Sequence, residues 1–250
     1  MLLATSEWGT GNRLAVLLHG MLGSGQQYWQ VGPALAKRGY RAIAVDLPGH
    51  GRSPATPAAT LHLYAESVAE TVGTEVELAI GHSLGAIVLA VAVPALLRPA
   101  RAVYVDVPFS ADSTPVGTGE LLSRFMAAKA ARTLEQLRIS KPEWSEENRR
   151  VEAEAAMQFD PVSAAALELA YNRDPLPGPP STTTPSLLIR AEPSRFVSAE
   201  RAAELQALGF RVESVAGAGH CIWYSHLDAF LSLIDPGPPP PVWGRSGEGH

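Results

Sequence analysis

The chain has 250 residues, of which 46% are hydrophobic and 18% are charged. This composition excludes disorder for most of the chain, and the length suits one large domain or two small ones. The 20 basic and 25 acidic side chains give a formal net charge of −5. No basic block stands out, so neither nucleic acid nor an anionic membrane surface is expected as a partner.

A single cysteine, Cys221, excludes an internal disulfide framework and any cysteine-rich metal site. Residues 1–7 lack the basic region and the apolar stretch of a signal peptide. No run approaches the roughly 20 apolar residues that cross a bilayer. We therefore expect a cytoplasmic globular protein, and its oligomeric state is left open.

Strands alternate with helices along the first hundred residues. The hydrophobic patterns predict strands at 14–18, 41–45, 77–80 and 102–105, and helices at 27–38, 61–72 and from residue 85 onward. Short apolar strands separated by helices form right-handed βαβ units. The sequence therefore predicts an α/β protein with a mainly parallel, doubly wound sheet.

The pattern changes between residues 107 and 184. Helical patterns occur at 120–137, 145–159 and 162–171, and a linker rich in proline and threonine follows at 175–184. The alternation then resumes with strands at 186–190 and 210–215 and helices at 198–208 and 225–234. We interpret 1–106 and 185–235 as one α/β core, and 107–184 as a helical cap and linker inserted after the strand that ends at Asp106. The Pro/Gly-rich C-terminal tail, 236–250, is expected to lie on the surface and is assigned no chemistry.

The strongest local motif is Gly81-His82-Ser83-Leu84-Gly85, a G-x-S-x-G pentapeptide between a predicted strand and a predicted helix. A nucleophile on such a tight turn has strained backbone, so the residues two positions away must be small. The turn holds the Ser83 hydroxyl clear of the sheet and near a helix N-terminus, which favours a developing anion. The motif alone is common, and its position between strand and helix distinguishes it from an ordinary glycine-flanked turn.

Two further segments fit the same chemistry. His19-Gly20-Met21 ends the first predicted strand, where the N–H of Met21 could face the same oxygen as the N–H of Leu84 and form an oxyanion hole. Gly217-Ala218-Gly219-His220 follows the last predicted strand, and a histidine there can reach across the strand ends to accept the Ser83 proton.

Together these motifs resemble the α/β-hydrolase superfamily, specifically its cap-bearing branch of serine esterases and carbon–carbon hydrolases. The resemblance rests on His19-Gly20, the run from Asp46 to Ser53, the turn around Ser83 and the Gly-x-Gly-His sequence ending at His220. It covers about residues 14–234 and is far more specific for the fold than for the substrate. It implies that Asp46 and His50 shape a loop.

The third member of the catalytic triad departs from the family pattern. The resemblance places an aspartate after the strand that follows the cap, but Ser194 stands there. Asp106 is the preferred substitute, because some relatives carry their acid at that strand end, and Glu192 is the alternative. A Ser–His dyad without an acid stays open, since a triad that loses its acid retains substantial catalysis.

A substrate pocket is predicted beneath the cap. The candidates are apolar or aromatic side chains of the cap region and the last loop, namely Phe109, Phe125, Met126, Trp144, Phe159 and Trp223. They suggest a substrate that is not strongly charged. No cofactor or metal is expected, because no His/carboxylate cluster has metal spacing and the glycine-rich stretches lack a phosphate-binding lysine.

The resulting hypothesis is a serine-dependent hydrolase of a small, largely apolar ester or acyl substrate. Two alternatives from other classes stay open. One is a lyase, dehydratase or C–C bond-cleaving enzyme of specialised, polyketide-like metabolism that uses the same Ser–His pair. The other is a binding protein that keeps the fold without catalysis.

Overall fold

A computed structural model describes residues 1–109, 116–176 and 178–235. Within them, the strands are β1 (Thr5–Trp8), β2 (Arg13–Leu18), β3 (Tyr40–Val45), β4 (Leu78–His82), β5 (Arg101–Val105), β6 (Ser186–Glu192) and β7 (Arg211–Ala216). The helices are α1 (Val31–Ala36), α2 (Leu61–Val72), α3 (Leu84–Ala92), α4 (Thr118–Ala130), α5 (Leu134–Ser140), α6 (Glu146–Gln158), α7 (Pro161–Arg173), α8 (Ala199–Ala207) and α9 (Leu227–Ile234). Short 3-10 turns cover Gly25–Tyr28 and Ile222–Tyr224, and a π-helical turn extends α3 over Val93–Leu97.

The strands form one seven-stranded sheet in the order β1-β3-β2-β4-β5-β6-β7. Strands β2 to β7 pair in parallel, and β1 pairs antiparallel with β3 at the edge. The predicted α/β fold with a mainly parallel sheet is confirmed. Strand β1 was not predicted, because its sequence TSEW is short and only one of its four residues is buried.

Helices cover both faces of the sheet because successive strand residues point to opposite sides. Along β2, Val16 and Leu18 pack into an apolar cluster with α2, α3 and α8, and Ala15 and Leu17 pack into a second cluster with α1 and α9. The central strands are therefore buried on both faces, as their continuous apolar sequences predict.

Two predicted helices are interrupted in the structure. The predicted helix 27–38 consists of the 3-10 turn at Gly25–Tyr28 and the short helix α1. The predicted helix 120–137 is two helices, α4 and α5, because Thr133 caps the N-terminus of α5 by accepting a hydrogen bond from Gln136 N–H. A capping threonine ends one helical segment and begins the next.

Helices α4 to α7, which are referred to as the cap, lie between β5 and β6 in the chain. A small apolar cluster joins them to the loop after β2, through Leu121 and Phe125 of α4, Phe159, Ala164 and Ala165 on the cap side, and Leu22 on the core side. Residues 110–115 and 177 of the predicted cap and linker lie outside the described residues, as does the predicted tail 236–250. Among the described helices, none is long and apolar enough to span a membrane.

Candidate active site

Ser83 occupies the turn between β4 and α3. Its backbone has φ of 52° and ψ of −115°, which places a non-glycine residue in a region that costs about 1–3 kcal/mol unless neighbouring structure holds it. Its N–H donates to the carbonyl of Val105 at 3.0 Å, and its own carbonyl accepts from Ala86 and Ile87 in the first turn of α3. The turn is therefore fixed by both the sheet and the helix.

The two glycines of the motif are needed for space. A Cβ at Gly81 would lie 2.5 Å from the carbonyl oxygen of Gly85, and a Cβ at Gly85 would lie 2.3 Å from the carbonyl oxygen of Leu18. Neither residue has positive φ, so close backbone approach rather than conformational freedom requires glycine at these positions.

His220 lies in the loop after β7 and faces Asp106 at the end of β5. Its Nδ1 is 2.8 Å from Asp106 Oδ2. A carboxylate can only accept, so Nδ1 carries the hydrogen and Nε2 is left as the acceptor, which is the tautomer a general base requires. The His220 side chain keeps 32% of its surface exposed, whereas Asp106 keeps 1%.

The Asp106 carboxylate is held by more than His220. Its Oδ1 accepts from Ser194 Oγ at 2.7 Å and from the N–H of Ala191 at 3.2 Å. Ser194, in the position where the family pattern has its acid, therefore supports the carboxylate of Asp106. Glu192 is 53% exposed and lies 3.8 Å from Arg190, and within the described chain it makes no hydrogen bond to His220.

The loop after β2 lies against the serine turn. A Cβ at Gly20 would approach Ser83 Cβ to 3.2 Å, so the backbone passes close to the hydroxyl. The next residue, Met21, and the first residue of α3, Leu84, line a cavity together with Ser83. No acceptor for the N–H of either residue occurs among the hydrogen bonds of the described residues, and such free donors at a helix N-terminus suit an oxyanion.

Ser83, His220 and Asp106 line one cavity of about 560 Å³. Trp144, one of the six candidates for the substrate pocket, also lines this cavity. The cavity lies at the carboxyl ends of the parallel strands, where Asp106 follows β5 and the loop bearing His220 follows β7. This is the edge at which open α/β sheets bind ligands.

The structure does not place the other five aromatic or apolar candidates on the wall of this cavity. Phe109 packs on Tyr104 and Phe210, Phe125 packs on Phe159, and Phe159 also contacts the His50 ring. Met126 points outward with 57% of its surface exposed, and Trp223 is fully buried against Tyr28. The spacing of apolar residues predicts the helices of the cap. It does not predict which way each side chain faces, because that direction depends on how the cap packs on the core.

The cavity wall also carries a buried polar cluster that the sequence does not predict. Glu152 of α6 is 2% exposed and accepts hydrogen bonds from Gln27 Nε2 at 2.6 Å, the Tyr224 hydroxyl at 2.9 Å and Arg132 at 3.2 Å. The cluster joins the cap to the loops after β2 and β7. Its only sequence signal was a glutamate in a highly charged helix, which normally indicates a solvated face.

Burial favours the neutral form of two further titratable side chains beside the site, His82 and Cys221. Burial lowers the pKa of His82 well below its usual value, with a further contribution from the adjacent His220. Burial raises the pKa of the Cys221 thiol, which disfavours the thiolate form although the side chain lines the cavity.

The loop from Asp46 to Ser53 is shaped by internal hydrogen bonds. Asp46 accepts from the N–H groups of Gly25 at 2.7 Å and Arg52 at 3.0 Å. His19 accepts from the N–H of Leu47 at 3.0 Å, and His50 Nδ1 lies 3.0 Å from the carbonyl of Pro48. In the described part of the chain, no group of three His, Cys, Asp or Glu side chains is placed to hold a metal ion.

Comparison with known proteins gives the same fold across nearly the whole chain. A solved marine microorganism esterase superposes with a TM-score of 0.71 at 17% identity, covering 93% of this chain and 97% of that one. The thioesterase domain from the curacin biosynthetic pathway superposes with a TM-score of 0.70 at 20% identity, covering 92% and 94%. A serine hydrolase-like protein of Dictyostelium discoideum is 33% identical over 92 residues, which are 34% of this chain and only 26% of that protein.

The family model for the alpha/beta hydrolase family matches residues 15–233. That span begins in β2 and ends in α9, and so includes the serine turn, the strand end at Asp106 and the loop that carries His220. The chain belongs to the alpha/beta hydrolase family.

Proposed function

We propose that the protein is a serine-dependent hydrolase that cleaves small ester or acyl substrates through an acyl-enzyme. The observation that carries this proposal is the arrangement of three side chains around one cavity. The Asp106 carboxylate is 2.8 Å from His220 Nδ1, and Ser83 stands on a strained turn that lines the same cavity.

In the proposed first step, His220 Nε2 accepts the proton of Ser83 Oγ as the oxygen attacks the substrate carbonyl. Asp106 orients the ring and stabilises the imidazolium that forms. The free N–H groups of Met21 and Leu84 stabilise the negative charge on the carbonyl oxygen of the tetrahedral intermediate. His220 then gives its proton to the leaving group, and the acyl group stays on Ser83.

In the second step, a water molecule takes the place of the leaving group. His220 accepts a proton from the water as its oxygen attacks the acyl carbonyl. The bond between Ser83 Oγ and the acyl carbon then breaks, His220 returns the proton to Ser83 Oγ, and the acid is released. The esterase and thioesterase names of the structural neighbours support acyl transfer as the reaction type.

Replacing the nucleophile tests the proposal. The Ser83→Ala variant should lose at least about 10³-fold in kcat on 4-nitrophenyl esters, since removing a triad nucleophile removes most of the catalysis. It should also lose labelling by a fluorophosphonate, with the label on the wild-type protein located at residue 83 by mass spectrometry. The Ser232→Ala variant is the matched control, because Ser232 is an exposed serine on α9.

Unchanged turnover in the Ser83→Ala variant would refute the mechanism. Turnover in ¹⁸O-labelled water distinguishes hydrolysis from elimination. Hydrolysis places one labelled oxygen in the acid product, whereas a lyase forms an unsaturated product without it. A non-catalytic binding protein would give neither product nor label.

A further inference from the structure

Ser83 lies where two cavities of different chemistry meet. Besides the cavity of about 560 Å³ that contains His220, a second cavity of about 280 Å³ reaches Ser83 from the side of α3 and α7. Ser83 and Met21 line both cavities. A substrate with its carbonyl at Ser83 can therefore extend in two directions.

The smaller cavity is mainly apolar. Its wall is formed by Leu61 of α2, Ile87 of α3, and Leu167 and Tyr171 of α7. The charged residue on its lining, Glu168, pairs with Arg124 of the cap. An apolar chain is the group that gains from entering such a cavity, because it leaves water without losing hydrogen bonds.

The larger cavity has several charged side chains on its wall, whereas the smaller one has a single one. Two of its carboxylates are already bonded, since Asp106 holds His220 and Glu152 accepts from three donors that include Arg132. Arg132 gives Glu152 one N–H group and keeps 35% of its side chain exposed. Its other N–H groups bond to nothing else within the described chain.

The other charged groups on this wall are Lys141, Arg195 and Glu143. None of the three forms an ion pair within the described chain. Cations available to a ligand therefore outnumber available carboxylates, and the cavity suits a group with negative charge.

The position of His220 decides which part of the substrate occupies which cavity. In acyl transfer the imidazolium must protonate the leaving group, so the leaving group lies on the side of His220. His220 lines the larger cavity, whereas Leu84, which would bind the oxyanion, lines the smaller one. The acyl chain must then extend between α3 and α7.

From this geometry, and resting on the proposed hydrolase function, we infer the substrate class. The substrate is an ester that joins a short apolar acyl group to a polar, anionic leaving group. The acyl group fills the cavity at Ile87 and Leu167. The anion of the leaving group is bound by Arg132 with Lys141.

Two pairs of esters test the orientation in the wild-type protein. The first pair is 4-(butanoyloxy)benzoate and 4-(butanoyloxy)benzamide, which differ in charge on the leaving group. The second is 4-nitrophenyl hemisuccinate and 4-nitrophenyl pentanoate, which differ in charge on the acyl group. Each kcat/KM is divided by the rate constant for hydrolysis of the same ester by hydroxide without enzyme. By this ratio, 4-(butanoyloxy)benzoate should be preferred about tenfold over its amide, and 4-nitrophenyl hemisuccinate should be disfavoured relative to the pentanoate.

Two substitutions should separate the cavities. Ile87→Trp should lower kcat/KM for hexanoyl relative to acetyl esters by about tenfold, and the ratio within the first pair should stay the same. Arg132→Gln should abolish the preference for the carboxylate within the first pair, and the ratio of hexanoyl to acetyl esters should stay the same. Arg132→Lys should restore part of the preference, and Arg150→Gln, on the exposed face of α6, should keep it.

Ile87→Ala enlarges the cavity and should shift the preference toward longer acyl chains. This variant tests the same cavity if the tryptophan variant does not fold. Equal normalised rates within the first pair would overturn the inference. An Ile87→Trp variant with altered selectivity for the leaving group would also overturn it. In both cases, hydrolysis of neutral esters would still support the proposed function. If no ester is hydrolysed, the proposed function fails. Calorimetric binding of 4-(butanoyloxy)benzoate and its amide to Ser83→Ala then decides whether the larger cavity selects the anion, and equal affinities would overturn the inference.

Discussion

The carboxylate partner of His220 comes from a different strand end than the family pattern predicts. Asp106 also has φ of 48°, an uncommon conformation for a non-glycine residue. Three groups hold it in place: His220, the N–H of Ala191 and the hydroxyl of Ser194. Ser194 thus belongs to the support of the carboxylate and is a positioning residue.

Removing the Ser194 hydroxyl should weaken this support without touching the substrate. Ser194→Ala leaves Oδ1 of a buried carboxylate with one fewer donor, so kcat should fall by about tenfold, with little change in KM. Ser194→Thr keeps the hydroxyl and should restore most of kcat. Steady-state kinetics on a 4-nitrophenyl ester measures both. Equal loss in the alanine and threonine variants, or a change in KM alone, would contradict the role of the hydroxyl.

At the scale of elements, the serine turn depends on how closely α3 approaches the end of β2. Gly85 lies so close to the carbonyl of Leu18 that a Cβ would not fit, and Met21 and Leu84 line one cavity beside it. We therefore expect this packing to position the two amides that would bind the oxyanion. The positions of these two amides and the stability of the junction between α3 and β2 should therefore depend on the same packing.

Gly85→Ala should disturb both properties. The added Cβ would meet backbone 2.3 Å away, and relieving this clash should lower the free energy of unfolding by about 1–3 kcal/mol. A displacement of the turn by a fraction of an ångström to 1 Å should lower kcat by up to about 100-fold. Urea unfolding and ester kinetics test the two effects. Gly119→Ala is the control, because a Cβ there meets nothing within 4 Å in helix α4, and wild-type stability in Gly85→Ala would contradict the packing argument.

At the scale of the whole molecule, the fold buries three histidines near the site, His19, His50 and His82, and burial favours their neutral form. Burial lowers the pKa of His50 from 6.5 to about 3, with a smaller contribution from repulsion by His19. Burial also lowers the pKa of His19 and of His82. The unfolded chain therefore binds more protons than the folded chain between about pH 3 and pH 6.5, and stability falls as the pH falls through this range.

The pH dependence of unfolding should show this directly. Between pH 7.5 and pH 5, one histidine that stays neutral in the folded state removes about 2 kcal/mol from the free energy of unfolding. His50→Gln should reduce the loss on acidification by about that amount, measured by urea titration at both pH values. His62→Gln is the control, since it removes an exposed histidine of α2. An unchanged pH dependence in His50→Gln would show that His50 becomes protonated in the folded state.

The sequence alone determined the α/β architecture and the positions of Ser83 and His220 relative to its strands. Apolar runs alternating with helical patterns predicted the parallel sheet, because strands buried on both faces must be apolar along their whole length. The glycine-flanked Ser83 and the histidine after the last strand pointed to the same edge of that sheet, and the structure brings both to one cavity. Local spacing carries this information, since each motif is a few residues long.

Only the tertiary structure decided which carboxylate faces His220, which aromatic residues reach the cavity, and that a buried glutamate of α6 joins the cap to the core. Asp106 and Glu192 are 86 positions apart in the chain, and both follow or end a strand at the same edge of the sheet. Whether either reaches the imidazole depends on the direction of one side chain after the strands have paired. The cap residues face the cavity or the solvent according to how four helices pack on the core, and this packing arises from contacts between residues far apart in the sequence, which periodicity does not encode.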